Sequence, residues 1–126
     1  MSEHKTYVAV VDDDASFSRA ISRLLRAAGM ESVVFASAEA FLGDPNHPRA
    51  NCIILDIHLG GMSGLDLCRR LSSEGRATHV IMVTAHDEPE THQEARQIGC
   101  AAYFRKPVPR KLLLEAIHHV VNAPNQ

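Results

Sequence analysis

The stretch Tyr7-Val8-Ala9-Val10-Val11-Asp12-Asp13-Asp14 decides the fold, because it runs a continuous apolar segment directly into three carboxylates. A segment that is apolar at every position and rich in β-branched valine reads as a strand buried on both faces. The same pattern recurs at Cys52-Ile53-Ile54-Leu55 and at Val80-Ile81-Met82-Val83. A short run, Ser32-Val33-Val34-Phe35, and a weaker one, Ala101-Ala102-Tyr103-Phe104, complete the strands. Between the first two runs, Phe17, Ala20, Ile21, Leu24, Leu25 and Ala28 fall on one helical face, and Gly29 follows as a C-cap. After the last run, Pro109 suits a first helical turn, and Leu113, Ala116, Ile117, Val120 and Val121 repeat the helical period. Ser37 to Leu42, Gly64 to Leu71 and Pro89 to Ile98 supply shorter helices, the last closed by Gly99. Alternating strands and helices with right-handed crossovers give an α/β fold: a five-stranded parallel sheet with helices on both faces, doubly wound as (βα)5.

The chain has 126 residues, which predicts a single domain over 1–126 with its core at about 6–121. That length excludes a two-domain enzyme and leaves little room for an attached effector. It predicts either a domain that works alone or a piece cut from a longer protein just past Asn122. With 45% hydrophobic and 22% charged residues the composition is that of a folded soluble protein rather than a disordered one. A net charge of -2 argues against a nucleic-acid-binding surface spread over the domain, so direct nucleic-acid contact is not expected. No apolar run approaches the roughly 18 residues that span a membrane, and the first residues lack a signal-peptide core. The expected location is the cytoplasm. Cys52, Cys68 and Cys100 form no C-x-x-C pair, so they read as small buried side chains in a reducing compartment. The eight histidines show no metal-binding spacing and read as scattered surface residues, with His58 and His86 set apart below.

In open α/β sheets ligands bind beyond the carboxyl ends of the strands. Those ends carry Asp12-Asp13-Asp14, Asp56, Thr84 and Arg105-Lys106-Pro107, whereas Ala36-Ser37 reads as an ordinary helix cap. Two carboxylates about 5 Å apart repel by roughly 3 kcal/mol at an effective dielectric near 20, so a cluster of them needs counter-charge. Lys106 supplies one positive charge and leaves an excess of negative. A hard divalent cation completes such a site, and Mg²⁺ typically binds through one or two carboxylates plus water and phosphate.

These residues carry a resemblance. The chain resembles a receiver domain of the bacterial two-component response regulators, the family of the chemotaxis regulator, through Val10 to Asp14, Ile54-Leu55-Asp56, Gly61-Met62-Ser63-Gly64, Val83-Thr84-Ala85 and Lys106-Pro107. The resemblance implies the flavodoxin-like order of strands. It implies that Asp56 accepts a phosphoryl group from a phosphohistidine on a sensor histidine kinase or a histidine phosphotransfer protein. Asp12 and Asp13 match the acidic pair that, with Asp56 and the backbone carbonyl of His58, holds Mg²⁺. Thr84 and Lys106 match the hydroxyl and ammonium that bind the phosphoryl oxygens, and Tyr103 matches the aromatic that turns inward when the threonine moves. The family's output face corresponds to about 89–121, with a phosphorylation-dependent dimer as one outcome; Arg105, Arg110 and Lys111 there read either as contact residues or as an ordinary solvated face. A cis Lys106–Pro107 bond is expected on the same ground. Such a domain catalyses only its own phosphorylation and dephosphorylation and is not an enzyme in the ordinary sense.

Gly60 departs from the family, which usually has proline there; two adjacent glycines lower the rigidity of the loop. Small Ala85 leaves the site open to a donor, and His58 and His86 occupy positions that flank its mouth in this family, where they read either as residues that tune hydrolysis or as exposed loop histidines without kinetic effect. Three other functions compete. A haloacid-dehalogenase-like phosphohydrolase would use Asp12-x-Asp14, but it leaves Asp56 unexplained and offers only Glu115 after Lys106 as a further acid. A flavin carrier of the same fold needs a phosphate cradle after the first strand, where Asp12 to Asp14 would repel phosphate. A phosphorylation-independent docking module would not require the intact acids, threonine and lysine.

Overall fold

The computed structural model describes residues 5–122. Its strands are β1 (Tyr7–Val11), β2 (Glu31–Phe35), β3 (Cys52–Asp56), β4 (Val80–Thr84) and β5 (Ala102–Arg105). Its α-helices are α1 (Ala15–Ala27), α2 (Ala38–Gly43), α3 (Gly64–Ser73), α4 (Pro89–Ile98) and α5 (Arg110–Asn122). All strands pair in parallel in the order β2-β1-β3-β4-β5. The doubly wound expectation therefore holds, with bounds shifted by a residue at several ends.

Strand alternation divides the core into two layers. Ala9, Val11, Ile53, Leu55, Val80 and Met82 face α2, α3 and α4, where Phe41, Leu67, Leu71 and Ala95 are buried against them. Val8, Val10, Cys52, Ile54, Ile81 and Val83 face α1 and α5, packing on Ile21, Leu25, Leu113 and Ile117. Every residue of β3 and β4 is buried, as continuous apolar runs require. β2 differs, because it is an edge strand with Val33 and Val34 both substantially exposed. α5 begins at Arg110, and Leu113 N donates to Pro109 O, so Pro109 caps the first turn from outside it. Cys52 and Cys68 are buried, but Cys100 is only half-buried where the chain enters β5.

The loop from β3 to α3 is set by two glycines. Gly61 takes φ +73°, and a Cβ there would meet the Glu39 carboxylate at 2.7 Å. Glu39 occupies that space because its Oε2 accepts a hydrogen bond from Met62 N at 2.8 Å. Gly64, the first residue of α3, lets the helix lie directly on the peptide after Asp56, and its own N–H donates to Ile57 O at 2.9 Å. A Cβ at Gly64 would lie 2.0 Å from the Asp56 carbonyl oxygen, so no side chain fits. Gly60 has open space around it and no positive φ. Gly64→Ala should therefore destabilise the protein by about 2 kcal/mol or more through backbone displacement. Gly60→Ala should stabilise it by about 0.4–1 kcal/mol by restricting the unfolded chain. Urea unfolding of the two variants measures both, and equal effects would show that the loop does not discriminate between these positions.

Candidate functional site

The strand order reverses direction at β1 and β3, so the carboxyl ends of these neighbours form the crevice where α/β sheets bind ligands. Asp12 follows β1, and Asp56 is the last residue of β3. The three consecutive aspartates differ in environment. Asp12 is 2% exposed and is held by its own N–H, which donates to Phe35 O at 2.9 Å, and by its carbonyl, which accepts from Ser18 Oγ. Asp13 is exposed. Asp14 caps α1, with its Oδ1 accepting from Phe17 N at 3.1 Å. Carboxylate oxygens of Asp12, Asp13 and Asp56 all lie within 4.8 Å of one another.

Lys106, just after β5, is the cation of this cluster. Its Nζ stands 2.8 Å from Asp12 Oδ2, 3.8 Å from Asp56 Oδ2 and 3.9 Å from Asp14 Oδ2. Phe17 covers the ammonium at 4.4 Å from its ring centroid, which restricts the lysine to the site. Burial and, after it, the Asp12 charge push the Asp56 carboxyl up to about 6. The His58 N–H, which donates to Asp56 Oδ1 at 3.2 Å, and the Lys106 ammonium act in the opposite direction. One ammonium thus faces more negative charge than it balances. Asp12 Oδ2 is buried and, despite the nearby ammonium, has no aligned hydrogen bond. Clustered carboxylate oxygens that carry more negative charge than one ammonium balances fit a hard divalent cation such as Mg²⁺.

Thr84 ends β4 and is completely buried. Its Oγ1 donates to His86 O at 2.9 Å and accepts from His86 N at 3.0 Å, so the hydroxyl is committed to the loop that leads to α4. One residue further on, Asp87 Oδ1 accepts from the Tyr103 hydroxyl at 3.2 Å. Burial, followed by that hydrogen bond to a carboxylate, pushes the Tyr103 phenol up to about 12. The Tyr103 ring is stacked on His92 of α4, with centroids 4.0 Å apart and planes 4° from parallel. His58 and His86 stand edge to face at 5.6 Å, and His58 Nε2 is 3.9 Å from Glu88 Oε1. Together with Ala85 and Arg105 they border an open pocket at the carboxyl ends of the strands.

Of the residues selected from the sequence at the strand ends, Asp12, Asp13, Asp14, Asp56 and Lys106 converge, Thr84 is bonded to the His86 backbone, and the Lys106–Pro107 bond is cis. Sequence reading did not identify Phe17 as the cover of Lys106, Glu39 as the tether of the β3–α3 loop, or Asp87 and His92 as partners of Tyr103. Gly64 was visible as part of a motif, but its reason, contact with the Asp56 peptide, was not. Glu115, the further acid that a dehalogenase-like mechanism would require, is exposed on α5.

The family model for the response regulator receiver domain matches residues 8–118. The response regulator protein TodT of Pseudomonas putida is 34% identical, with 100% of this chain and 56% of TodT covered. TmoT of Ectopseudomonas mendocina, also a response regulator protein, is 34% identical over 100% of this chain and 58% of its own length. The chain spans little more than half the length of these curated relatives. Among solved structures, a CheY-like receiver domain protein from Methanospirillum hungatei superposes with a TM-score of 0.86 at 27% identity, covering 94% of this chain and 95% of that one. A match over nearly all of the described fold, with an acidic pocket at its switch point that suits a phosphoacceptor, places the chain in the family of two-component response regulator receiver domains.

Proposed function

We propose that Asp56 is the phosphoacceptor and that the domain catalyses its own Mg²⁺-dependent phosphorylation and dephosphorylation. The donor is a phosphohistidine on a sensor histidine kinase or a histidine phosphotransfer protein. The observation that carries this reading is the gathering of Asp12, Asp13 and Asp56 within 4.8 Å beneath the Lys106 ammonium. An Asp56 carboxylate oxygen attacks phosphorus, the donor N–P bond breaks, and the imidazole leaves and takes up a proton. A carboxylate is a weak nucleophile, so charge neutralisation and alignment supply the catalysis. Mg²⁺ held by Asp12, Asp13, Asp56 and the His58 carbonyl would neutralise phosphoryl oxygens. Lys106 binds another of those oxygens, and the His58 N–H holds Asp56 in orientation. Ala85 leaves the approach open, while His58 and His86 at the mouth tune how water reaches the acyl phosphate.

The same geometry supports a switch. To bind a phosphoryl oxygen, the Thr84 hydroxyl must give up its bond to His86 O, and that releases the loop holding Asp87. Tyr103 then loses its outward partner and turns inward. The change shifts an existing equilibrium toward a second arrangement of about 89–121, where Leu112, Arg110 and Lys111 are exposed to an output partner or a second copy. Arg105, at the end of β5, adjoins that face. The working compartment we assign is the cytoplasm, and no helix among the described residues is long and apolar enough to cross a membrane.

Acetyl phosphate with Mg²⁺ should add one phosphoryl group, read by intact mass spectrometry, and chelation or Asp56→Asn should abolish the gain. Persistent labelling of Asp56→Asn would overturn the assignment. Followed after donor removal, the His58→Ala, His86→Ala double variant should change the lifetime of the label. Thr84→Ala should still accept phosphate, but phosphorylation should no longer alter Tyr103 fluorescence. A wild-type fluorescence response in that variant would break the proposed link.

Raised Asp56 ionisation also predicts a stability profile. The unfolded carboxyl titrates near its ordinary value of 3.8 and the folded one near 6. The folded protein therefore binds the extra proton between these values, and the stability present below pH 4 is lost as pH rises through 6. In chelator at about pH 7.5, Asp56→Asn should be more stable than the wild type by up to about 3 kcal/mol. That advantage should vanish as pH falls toward about 4. Urea unfolding across this range checks the sign, and a less stable variant at neutral pH would refute it.

A further inference from the structure

Among the described residues β2 is the end strand of the sheet, with β1 as its single neighbour. Its known hydrogen bonds fix which of its groups face outward. Glu31 N donates to Thr6 O and Phe35 O accepts from Asp12 N, both on the β1 side. Successive strand residues direct their N–H and C=O to opposite sides, so Ser32 and Val34 present theirs to the open edge. Natural edges are blunted by lysine, proline or a bulge. Glu31-Ser32-Val33-Val34-Phe35 contains neither residue, and its pairing with β1 runs without interruption. Val33 is 42% exposed and Val34 is 43% exposed.

Beside this edge α1 carries Arg19, Arg23 and Arg26, spaced to lie along one helical face. All three are exposed, and among the described residues none pairs with a carboxylate. They line, with Val34, a groove of 380 Å³. In a β-α-β crossover the helix returns along the strands it covers, so this row of cations flanks the edge lengthwise. Its one-turn spacing of about 5–6 Å is close to the roughly 6.7 Å between alternate side chains of an extended chain. We propose that the α1–β2 edge docks an extended acidic segment of another protein. The segment adds to β2 as a further strand and sets alternate carboxylates against the arginine row.

Charge and shape favour this occupant over the alternatives. The groove is otherwise lined by Ala15, Ser18 and Ser22, with no aromatic ring on which a nucleobase could stack. The alternating donors and acceptors of the edge match a peptide backbone and not a phosphodiester. A second copy pairing β2 to β2 about a twofold axis would set one arginine row against another. The edge lies on the opposite side of the sheet from β5, and Arg19, Arg23 and Arg26 are not part of the Asp12, Asp13, Asp56 and Lys106 cluster.

The test uses the 126-residue chain, a short capped peptide of alternating glutamate and threonine, and its lysine-threonine counterpart. The acidic peptide should bind saturably, seen by fluorescence anisotropy, and slow amide hydrogen exchange at Ser32 and Val34 but not at Val33. The basic peptide should not bind. Arg19→Glu with Arg23→Glu should weaken binding about tenfold or more, with acetyl phosphate labelling unchanged. Absence of saturable binding, binding without protection of Ser32 and Val34, or undiminished binding to the charge-reversed variant would overturn the proposal. So would displacement of the peptide at similar concentration by a thymidine oligonucleotide, which would reveal a general anion-binding surface.

Discussion

Asp12 and Asp56 sit side by side because β1 and β3 are neighbours, and the burial that makes this pocket selective also makes its charge expensive. Most of the surroundings respond to that one constraint. Lys106 reaches back from β5 to stand 2.8 Å from Asp12, and Phe17 covers the ammonium. The His58 N–H donates to Asp56. Even so, the Asp56 carboxyl remains raised toward neutrality, and Asp12 Oδ2 lacks an aligned hydrogen-bond partner. An unrelieved excess of negative charge is what makes such a pocket receptive to a cation and, through it, to a phosphoryl group.

Because Asp56 must be held against that repulsion, the backbone around it tolerates little variation. Gly64 brings α3 into contact with the Asp56 peptide, and Glu39 fastens the intervening loop from α2. The two adjacent glycines do not leave this loop untethered, since Glu39 bonds Met62 and Gly61 takes up the conformation that the turn requires. On the other side, the β4–α4 loop is connected to the site through the Thr84 hydroxyl and through His58, which meets the His86 ring and the Glu88 carboxylate. Thr84 bonds both polar atoms of the His86 backbone, Asp87 bonds Tyr103, and His92 stacks on Tyr103. One side of the pocket is therefore fixed by packing, and the other is held by exchangeable hydrogen bonds. That division suits a switch, because a ligand shifts an equilibrium only by interacting differently with its two states.

Much of this was legible from residue order. The apolar runs ending in Asp12, Asp56 and Thr84 identify the central strands and, with the rule for parallel sheets, place those polar residues at one end. β2 was less transparent, since Ser32-Val33-Val34-Phe35 reads only as a short strand and becomes an edge through the sheet order. Cys100 looks like a buried thiol, but it lies where the chain leaves α4 for β5 and is only half-covered. Glu39, Asp87 and His92 carried no signal, because their partners lie on other elements and no local spacing marks them.

By itself the sequence determined the chemistry available at each strand end and the periodicity that makes strands and helices, because both depend on residue type and local spacing. Tertiary structure alone decided which of those groups meet. Adjacent Asp12, Asp13 and Asp14 diverge into a buried acid, an exposed acid and a helix cap. Asp56 and Lys106, far apart in the chain, come within 3.8 Å. The reason is physical: electrostatic energy depends on separation and burial in space, and neither is set until parallel pairing and crossover packing bring the strand ends together.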